Sequence, residues 1–289
     1  VGQYGRVGWV FACAALISSR VGAARWGAYR GSIEGDSEPL DDHPALALLR
    51  HPNPFMSRMA LIETSTIYLD LAGEFFLNIV SVGGRPVELW PINPANMRHV
   101  ADKGDWLRGW VHEVGRDRTP LDVSQVLHQR RPNPTDPYRG QSIIESINTD
   151  VVSDWNISRW IAAFWRNSAQ PGGTLATDKT LTDVQHMRLK EEWESSHRGV
   201  NASHRVAILE GGVEYKQNEV HLRNLQVEQI RDANARTIMA AFNVSPANLG
   251  IVENVNRANA EAAAESLATN VIDPRLVRIR ESINEQIVP

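Results

Sequence analysis

Residues 142–168, SIIESINTDVVSDWNISRWIAAFWRNS, carry the pattern that decides how the chain is organised. Apolar side chains recur every four residues from Ile143 to Trp155, and a second apolar group follows them. This spacing places the apolar side chains on one face of a helix, so the sequence predicts a single long helix here. The Pro-Gly-Gly run at 171–173 predicts the end of that helix.

The part of the chain before this helix is predicted to be mixed α and β. A hairpin is expected around Gly83-Gly84, because paired glycines between two apolar runs favour a tight turn. The predicted helices are at 7–20, 41–50 and 58–71, and the predicted strands are at 25–29, 75–82, 86–90, 97–101, 109–114 and 126–130.

The part after the helix begins with a charged segment. Thr182 and Gln185 have the spacing of a capping box, which predicts a helix over 182–198. A second hairpin is predicted from strands 205–209 and 213–217, joined through Gly211-Gly212.

A second long helix is predicted over 222–243. It is polar around most of its circumference, which is unusual for a core helix and favours a place between copies of the protein or beside water. Residues 244–257 break the helical pattern with Pro246 and Gly250 and are predicted to form a movable loop with little core. An Ala-rich helix over 258–287 should be kinked or interrupted at Pro274.

Composition restricts the possible partners. The 289 residues carry a net charge of −4, so any contact with DNA is not made through a large basic face. Cys13 is the only cysteine, which excludes an internal disulfide and suits a reducing compartment, and we expect it to be a buried, inert thiol. The apolar run 7–17 is too short to span a bilayer, and we expect no signal peptide. The chain begins at Val1 and ends within a helical pattern, so we expect it to be a trimmed piece of a longer protein.

Motifs for catalysis are missing from the sequence. The glycine pairs lack the residues of a phosphate-binding loop, the nine histidines are scattered without a zinc-protease pattern, and no Gly-x-Ser-x-Gly elbow occurs. We therefore predict no catalytic residue, no cofactor and no metal site. A Ser-His-Asp site assembled only in space remains an alternative. Trp155, Trp160 and Trp165 are interpreted as packing anchors, with a base-stacking platform as the alternative.

Seven strings of residues then carry a resemblance. They are WVFACAALIS (9–18), HPALALLRHPNP (43–54), LWPINP (89–94), YRGQSIIE (138–145), FWRNSAQPGGTL (164–175), the segment 189–212 with EEW and RVAILEGG, and AAFNVSPANL (240–249). In this order and spacing, over nearly the whole chain, they resemble the portal protein (head-to-tail connector) family of tailed bacteriophages.

The resemblance implies an α+β fold of portal-type architecture. The implied regions are a mixed α/β wing (1–141), a first stem helix (142–170), a small α/β clip (171–220), a second stem helix (221–243), a tunnel loop (244–257) and a long kinked helix returning to the wing (258–289). The helical crown that normally follows is absent from this sequence. Within the tunnel loop, Glu253, Asn254, Asn256 and Arg257 are the residues expected to meet DNA in the channel.

The resemblance also implies function and partners. The expected role is a structural, non-enzymatic subunit of a dodecameric ring at the capsid vertex, through which double-stranded DNA is packaged and ejected. Expected partners are further copies of the chain, DNA, the terminase large subunit, major capsid and scaffolding proteins, and head-tail connector proteins, with no membrane. The expected location is the virion, and the host cytoplasm during assembly. The alternatives are another head-tail connector or a minor head protein. A hydrolase is a less favoured alternative.

Overall fold

The computed structural model describes residues 2, 4–31, 37–101, 104, 106–166, 173–177, 182–197, 213–217, 226–251 and 257–288. The chain divides into two compact units. Unit 1 comprises Val1–Val151 and Arg236–Pro289, and unit 2 comprises Val152–Ala235.

Short helices and strands make up the chain up to residue 146, as the sequence predicts. The helices are α1 (Gly8–Gly22), α2 (Pro44–Arg50), α3 (Arg58–Ala72) and α4 (Ile143–Ser146), and the strands are β1 (Ala28–Arg30), β2 (Glu38–Leu40), β3 (Glu74–Val82), β4 (Arg85–Ile92), β5 (Met97–Val100), β6 (Gly109–Val114), β7 (Asp117–Asp122) and β8 (Val126–Arg130). Strands β2 and β7 were not predicted, because both are mostly exposed and lack apolar alternation.

The remaining elements are mainly helical. They are α5 (Asn148–Arg166), β9 (Gly173–Thr177), α6 (Asp183–His197), β10 (Val213–Gln217), α7 (Val227–Phe242), α8 (Arg257–Leu267) and α9 (Asp273–Gln286). The single helix predicted over 142–168 is therefore wrong in one respect. It is interrupted at Ile147 (φ −119°, ψ 22°), which ends α4 before α5 starts. Ser142 fixes that break, since its Oγ accepts from Glu145 N and donates to Leu71 O at 2.6 Å.

Strand β3 is the centre of unit 1. It pairs antiparallel with both β4 and β8, and five of the first six residues of β3 are buried. The predicted hairpin is confirmed: Gly83 and Gly84 connect β3 to β4 with φ of +59° and +78°. Two consecutive positive φ values define the turn type whose twist matches antiparallel strands, and glycine adopts it without strain.

A second sheet has the strand order β5-β6-β7, and its buried face packs against β3. The shared core contains Phe76, Met97 and Trp110, all almost fully buried. Phe76 meets Trp110 edge to face, with ring centroids 4.8 Å apart. Large interlocked aromatic side chains therefore hold the two sheets together.

The second predicted hairpin stays a prediction, because its strand 205–209 and its turn lie outside the described residues. Its other strand, β10, pairs antiparallel with β9, and 36 positions separate Val213 from Thr177. In the C-terminal helix, the expected interruption at Pro274 is confirmed. A π-helical turn at Ala268–Ile272 separates α8 from α9, and Pro274 occupies the first turn of α9. Proline has no N–H to donate, so the hydrogen-bond pattern changes just before it.

Two buried carboxylates connect distant parts of unit 1. Asp70, at the end of α3, accepts from Arg275 of α9 (Nε to Oδ1 3.0 Å) and from Arg131 (Nη2 to Oδ1 2.7 Å). Glu74, the first residue of β3, accepts from Arg139 Nε at 2.6 Å. Both carboxylates are essentially inaccessible to solvent. Such a charge is stable in the interior only while its cationic partners remain in place.

The turn between these carboxylates depends on Gly73 and Gly140. Gly73 has φ +82°, and a Cβ on either glycine would overlap the backbone of the other segment. The two chains therefore touch backbone to backbone, which brings the Gly140 N–H within 3.1 Å of Glu74 Oε2.

Replacing Asp70 by Asn should destabilise the chain by about 3–5 kcal/mol, because Arg275 and Arg131 would lose their buried counter-charge. Urea unfolding of both proteins measures this difference. Glu113→Gln is the matched control, since Glu113 pairs with Arg98 and Arg118 at an exposed site and should cost less than about 1 kcal/mol. Equal losses for the two variants would contradict a special role for the buried carboxylate.

Candidate functional site

Helix α5 changes character along its length. Asp154, in its first half, is buried and accepts from Arg231 Nε of α7 at 3.3 Å, and Ser153 Oγ accepts from Asn234 of α7 at 3.2 Å. From Trp155 to Arg166, in contrast, no side chain is buried. The helices α5 and α7 are thus joined by polar contacts in unit 2, and the second half of α5 is left uncovered.

The uncovered half of α5 is rich in aromatic side chains. Trp160 is 39% exposed and Trp165 is 60% exposed, and Phe164 stacks against Trp160 with centroids 5.6 Å apart. We call Trp160, Phe164 and Trp165 the aromatic end of α5. Apolar patches of this kind on a single chain mark surfaces that meet another molecule. The interpretation of the tryptophans as packing anchors is therefore consistent with their exposure, provided that the partner is outside the chain.

Helix α7 is also divided. Its first turns, Val227–Ala233, contain no buried side chain, and the exposed residues among them are mostly polar or charged. Further along, Ile238, Met239 and Phe242 are buried in unit 1. The prediction of a helix polar around most of its circumference is correct for the first half only. The second half is an ordinary amphipathic core helix.

Residues 244–251 and Arg257 of the segment predicted as a loop over 244–257 are among the described residues. Val244 is buried, and a short 3-10 turn at Pro246–Leu249 is capped by Ser245 and Asn248. The side-chain amide of Asn248 also donates to Ala263 O of α8 at 3.1 Å. No side chain is buried among residues 245–250, so the expectation of little core in this segment differs from the structure only at Val244.

Three of the four residues predicted to face DNA are not among the residues that the structure describes. Glu253, Asn254 and Asn256 lie outside the described residues, and Arg257 is the first residue of α8. The structure leaves their role as a prediction.

Helix α6 and the β9–β10 pair complete the described part of unit 2. The predicted capping box at the start of α6 is present, with Thr182 N donating to Gln185 Oε1 at 3.0 Å. Val184 and Met187 on this helix are 78% and 61% exposed. These exposed apolar side chains make α6 a second surface of unit 2 that another molecule can contact.

Among the described residues, His128 and Glu74 form the pair that most resembles a catalytic dyad. The Nε2 atom of His128 lies 2.9 Å from the Oε2 atom of Glu74. Both Glu74 oxygens already accept hydrogen bonds, from Arg139 and from the Gly140 N–H. The His128 ring stacks on Phe76 with centroids 4.3 Å apart and meets Trp110 edge to face. Burial lowers the pKa of His128 more than the neighbouring Glu74 raises it. The pair is thus built into the core, not into a cleft where a substrate could reach it.

Other candidate groups are equally enclosed or isolated. Burial raises the pKa of the Cys13 thiol to about 12, which agrees with the expected inert thiol. Within the described ranges, no three His, Cys, Asp or Glu side chains are grouped so as to hold a metal ion. Among those same residues, no helix is both long and apolar enough to cross a membrane.

Comparison with known proteins gives consistent matches. The family model described as phage portal protein matches residues 9–288. A probable portal protein of Streptomyces phage phiC31 is 24% identical over 250 residues, which are 79% of this chain and 52% of that protein.

Solved structures match over almost the whole chain. The crystal structure of an HK97 family phage portal protein from Corynebacterium diphtheriae has a TM-score of 0.71 and 15% identity, covering all of this chain and 91% of the other. A chain in the neck of a native gene transfer agent particle, computed with C12 symmetry, has a TM-score of 0.67 and 25% identity, covering 96% of this chain and 76% of the other. The α+β, portal-type fold expected from the sequence is confirmed by these structures.

The lowered pKa of the largely buried His128 predicts how the stability of the chain depends on pH. Because burial lowers its folded-state pKa, the unfolded chain takes up a proton near pH 6.5 that the folded chain does not. The contribution of His128 to stability is therefore complete above that pH and is lost as pH falls, with a slope of up to about 1.4 kcal/mol per pH unit. Urea unfolding between pH 7.5 and pH 5, at pH values chosen around the ordinary histidine pKa of about 6.5, measures the slope.

His128→Asn should remove the pH-dependent contribution of His128 to stability. The difference in the free energy of unfolding between the original chain and the variant should therefore narrow as pH falls. His186→Asn, at an exposed position on α6, is the control and should leave the slope unchanged. A pH dependence of His128→Asn identical to that of the original chain would show that His128 takes up its proton equally in both states.

Proposed function

The chain belongs to the phage portal protein family, and from this premise we propose that it is a structural subunit of a ring-shaped portal at the vertex of a capsid. The ring encloses a channel through which double-stranded DNA enters during packaging and leaves during ejection. The subunit does no chemistry of its own, and energy for translocation comes from a terminase that docks on the ring. Its place is the portal vertex of the virion, reached after assembly in the host cytoplasm.

The exposure of the aromatic end of α5 is the observation that best supports a ring of subunits. Trp160 and Trp165 are large, rigid side chains left exposed by the rest of the chain. Residues of this type supply most of the binding energy in protein interfaces, because they bury a large area with little loss of side-chain entropy. Another subunit is the partner that a ring provides at every position. The C12 symmetry used for the matching particle neck supports twelve subunits.

The exposed first half of α7 supports a channel wall. Glu228 and Asp232 are exposed there, whereas Arg231 is only partly exposed and pairs with the buried Asp154, and the chain as a whole has a net charge of −4. A wall that neutralised many phosphates would release counterions and hold DNA tightly. Acidic and amide side chains avoid this, so a polyanion can move past the surface.

The expected regions enter this proposal unchanged: wing 1–141, first stem helix 142–170, clip 171–220, second stem helix 221–243, tunnel loop 244–257 and returning helix 258–289. Terminase docks on the clip, and capsid, scaffolding and connector proteins meet other parts of the ring. Glu253, Asn254, Asn256 and Arg257 meet the DNA at the narrowest part of the channel. The capped turn at 246–249 gives that loop a fixed base on one side.

Trp165→Gln tests the ring. We expect native mass spectrometry and particle imaging to show twelve-fold rings for the original chain, and the variant to need at least about ten times more protein to assemble, as the loss of an interface anchor implies. Its unfolding midpoint should not change, since Trp165 is 60% exposed. The control is Trp106→Gln, an equally exposed tryptophan (63%) outside α5, which should assemble normally. Only monomers of the original chain under all salt conditions would contradict the ring.

Substitutions in the tunnel loop test the channel. Asn254→Trp and Arg257→Glu, placed in the full portal of an infectious particle, should leave ring assembly intact but slow DNA packaging or shorten the packaged DNA. The reason is that a bulky or anionic side chain obstructs a polyanion at a constriction. Arg116→Glu, on the exposed turn between β6 and β7, is the control for charge reversal alone. Normal packaging rate and DNA length in both loop variants would remove the loop from the channel.

A further inference from the structure

Phe55 is the most exposed large hydrophobic side chain among the described residues, at 83%. Its loop is nevertheless rigid. The buried Asn53 donates from Nδ2 to Leu89 O at 2.9 Å and accepts from the Phe55 N–H at 3.0 Å, and Leu89 N donates to Pro52 O at 2.7 Å. The ring of Phe55 is therefore held out into solvent by a fixed backbone, not by a loose one.

The surroundings of Phe55 combine aromatic and acidic groups. Its ring lies 5.8 Å from that of Trp90, and Trp90 Nε1 donates to Glu88 Oε2 at 2.8 Å. We call Phe55, Trp90 and Glu88 the knob. An exposed phenylalanine side chain gains free energy when a partner covers it and removes its apolar surface from water.

A groove with the opposite character lies elsewhere on unit 1. It has a volume of about 940 Å³ and is formed by the β1–β2 pair, α2 and α9. Its apolar lining includes Tyr29, Leu46 and Ile283. None of the knob residues lines it.

The polar groups of the groove favour an acidic visitor. Among the described residues, two cations, Arg25 and Arg280, line it against one carboxylate, Asp273. The indole Nε1 of Trp26, also in the lining, is buried and has no hydrogen-bond partner among the described residues. A buried donor without an acceptor costs free energy.

We propose that the knob of one subunit inserts into the groove of its neighbour, with Phe55 entering the apolar lining and Glu88 approaching Arg25 or Arg280. This inference rests on the proposed ring. Contacts around a ring are head-to-tail, so each subunit must carry two different, complementary patches. The knob and the groove are such a pair: aromatic and acidic on one side, apolar and cationic on the other. Because both belong to unit 1, every subunit presents both.

Cysteine cross-linking tests the contact directly. The only native cysteine, Cys13, is fully buried, so introduced cysteines are the sole accessible thiols. Phe55→Cys and Tyr29→Cys are made singly and together, assembled, and treated with a short bismaleimide. Val82→Cys combined with Tyr29→Cys is the control, since Val82 is 68% exposed at the tip of the β3–β4 hairpin.

We expect a mixture of the two single variants to give covalent dimers that contain one copy of each, and no larger species. The double variant should give a ladder that ends at the size of the ring, and the Val82 control should give no ladder. Phe55→Ser should weaken association between subunits about 30-fold, as for the loss of a hot-spot side chain, while Phe55→Trp retains it. The unfolding midpoint of the Phe55→Ser monomer should not change.

Two results would overturn the contact while leaving the ring intact. One is normal ring assembly without cross-linked mixed dimers, which would indicate that the knob binds a different protein. The other is cross-linking of Phe55→Cys to itself, which would indicate a two-fold contact. The absence of rings in native mass spectra, by comparison, would overturn the proposed function itself.

Discussion

Two buried carboxylates within five residues, Asp70 and Glu74, are the constraint on which unit 1 depends. Together they fix the end of α3, the start of β3, the segment 131–140 and the C-terminal helix α9. An ionised carboxylate in the interior is strongly destabilising unless its oxygens are satisfied. Since each partner comes from a distant part of the sequence, the native arrangement is the one in which all of these segments are in place. The Gly73–Gly140 backbone contact leaves no space for an alternative.

Unit 2 follows a different logic. Its described helices are linked by partly exposed polar contacts, such as Arg231 with Asp154, and the aromatic end of α5 remains uncovered. A surface of this kind is poorly satisfied in a single chain and well satisfied in an assembly. The division between a self-sufficient unit and an incomplete one suits the proposed ring. The family assignment and the geometry therefore point in the same direction.

Charge explains how such a ring could conduct DNA without retaining it. The chain is mildly acidic, and the exposed residues in the first turns of α7 include Glu228 and Asp232 but no arginine. The ion pairs of Asp70 and Glu74 stabilise the fold, and of their cations Arg275 is buried whereas Arg131 and Arg139 are partly exposed. Affinity for DNA rises steeply with the number of phosphates neutralised. A guanidinium that is committed to a buried carboxylate, as in Arg275, does not neutralise a phosphate in the proposed channel.

The sequence by itself determined most of the local structure and the family. The positions of α1, α3, β3, β6 and β8, the hairpin at Gly83-Gly84 and the interruption before Pro274 follow from apolar periodicity, turn residues and the missing proline N–H, which are properties of neighbouring residues. Tertiary structure decided what depends on distant residues. The break at Ile147 comes with a hydrogen bond from Ser142 to Leu71, and β10 pairs with β9 across a long separation. The burial of Asp70, and the exposure of Phe55 on a loop fixed through Asn53, likewise have no local signal. A charged residue near the end of a helix, or a phenylalanine beside a proline, has the same sequence pattern whether it lies in the core or in solvent. Only the segments packed against it decide which.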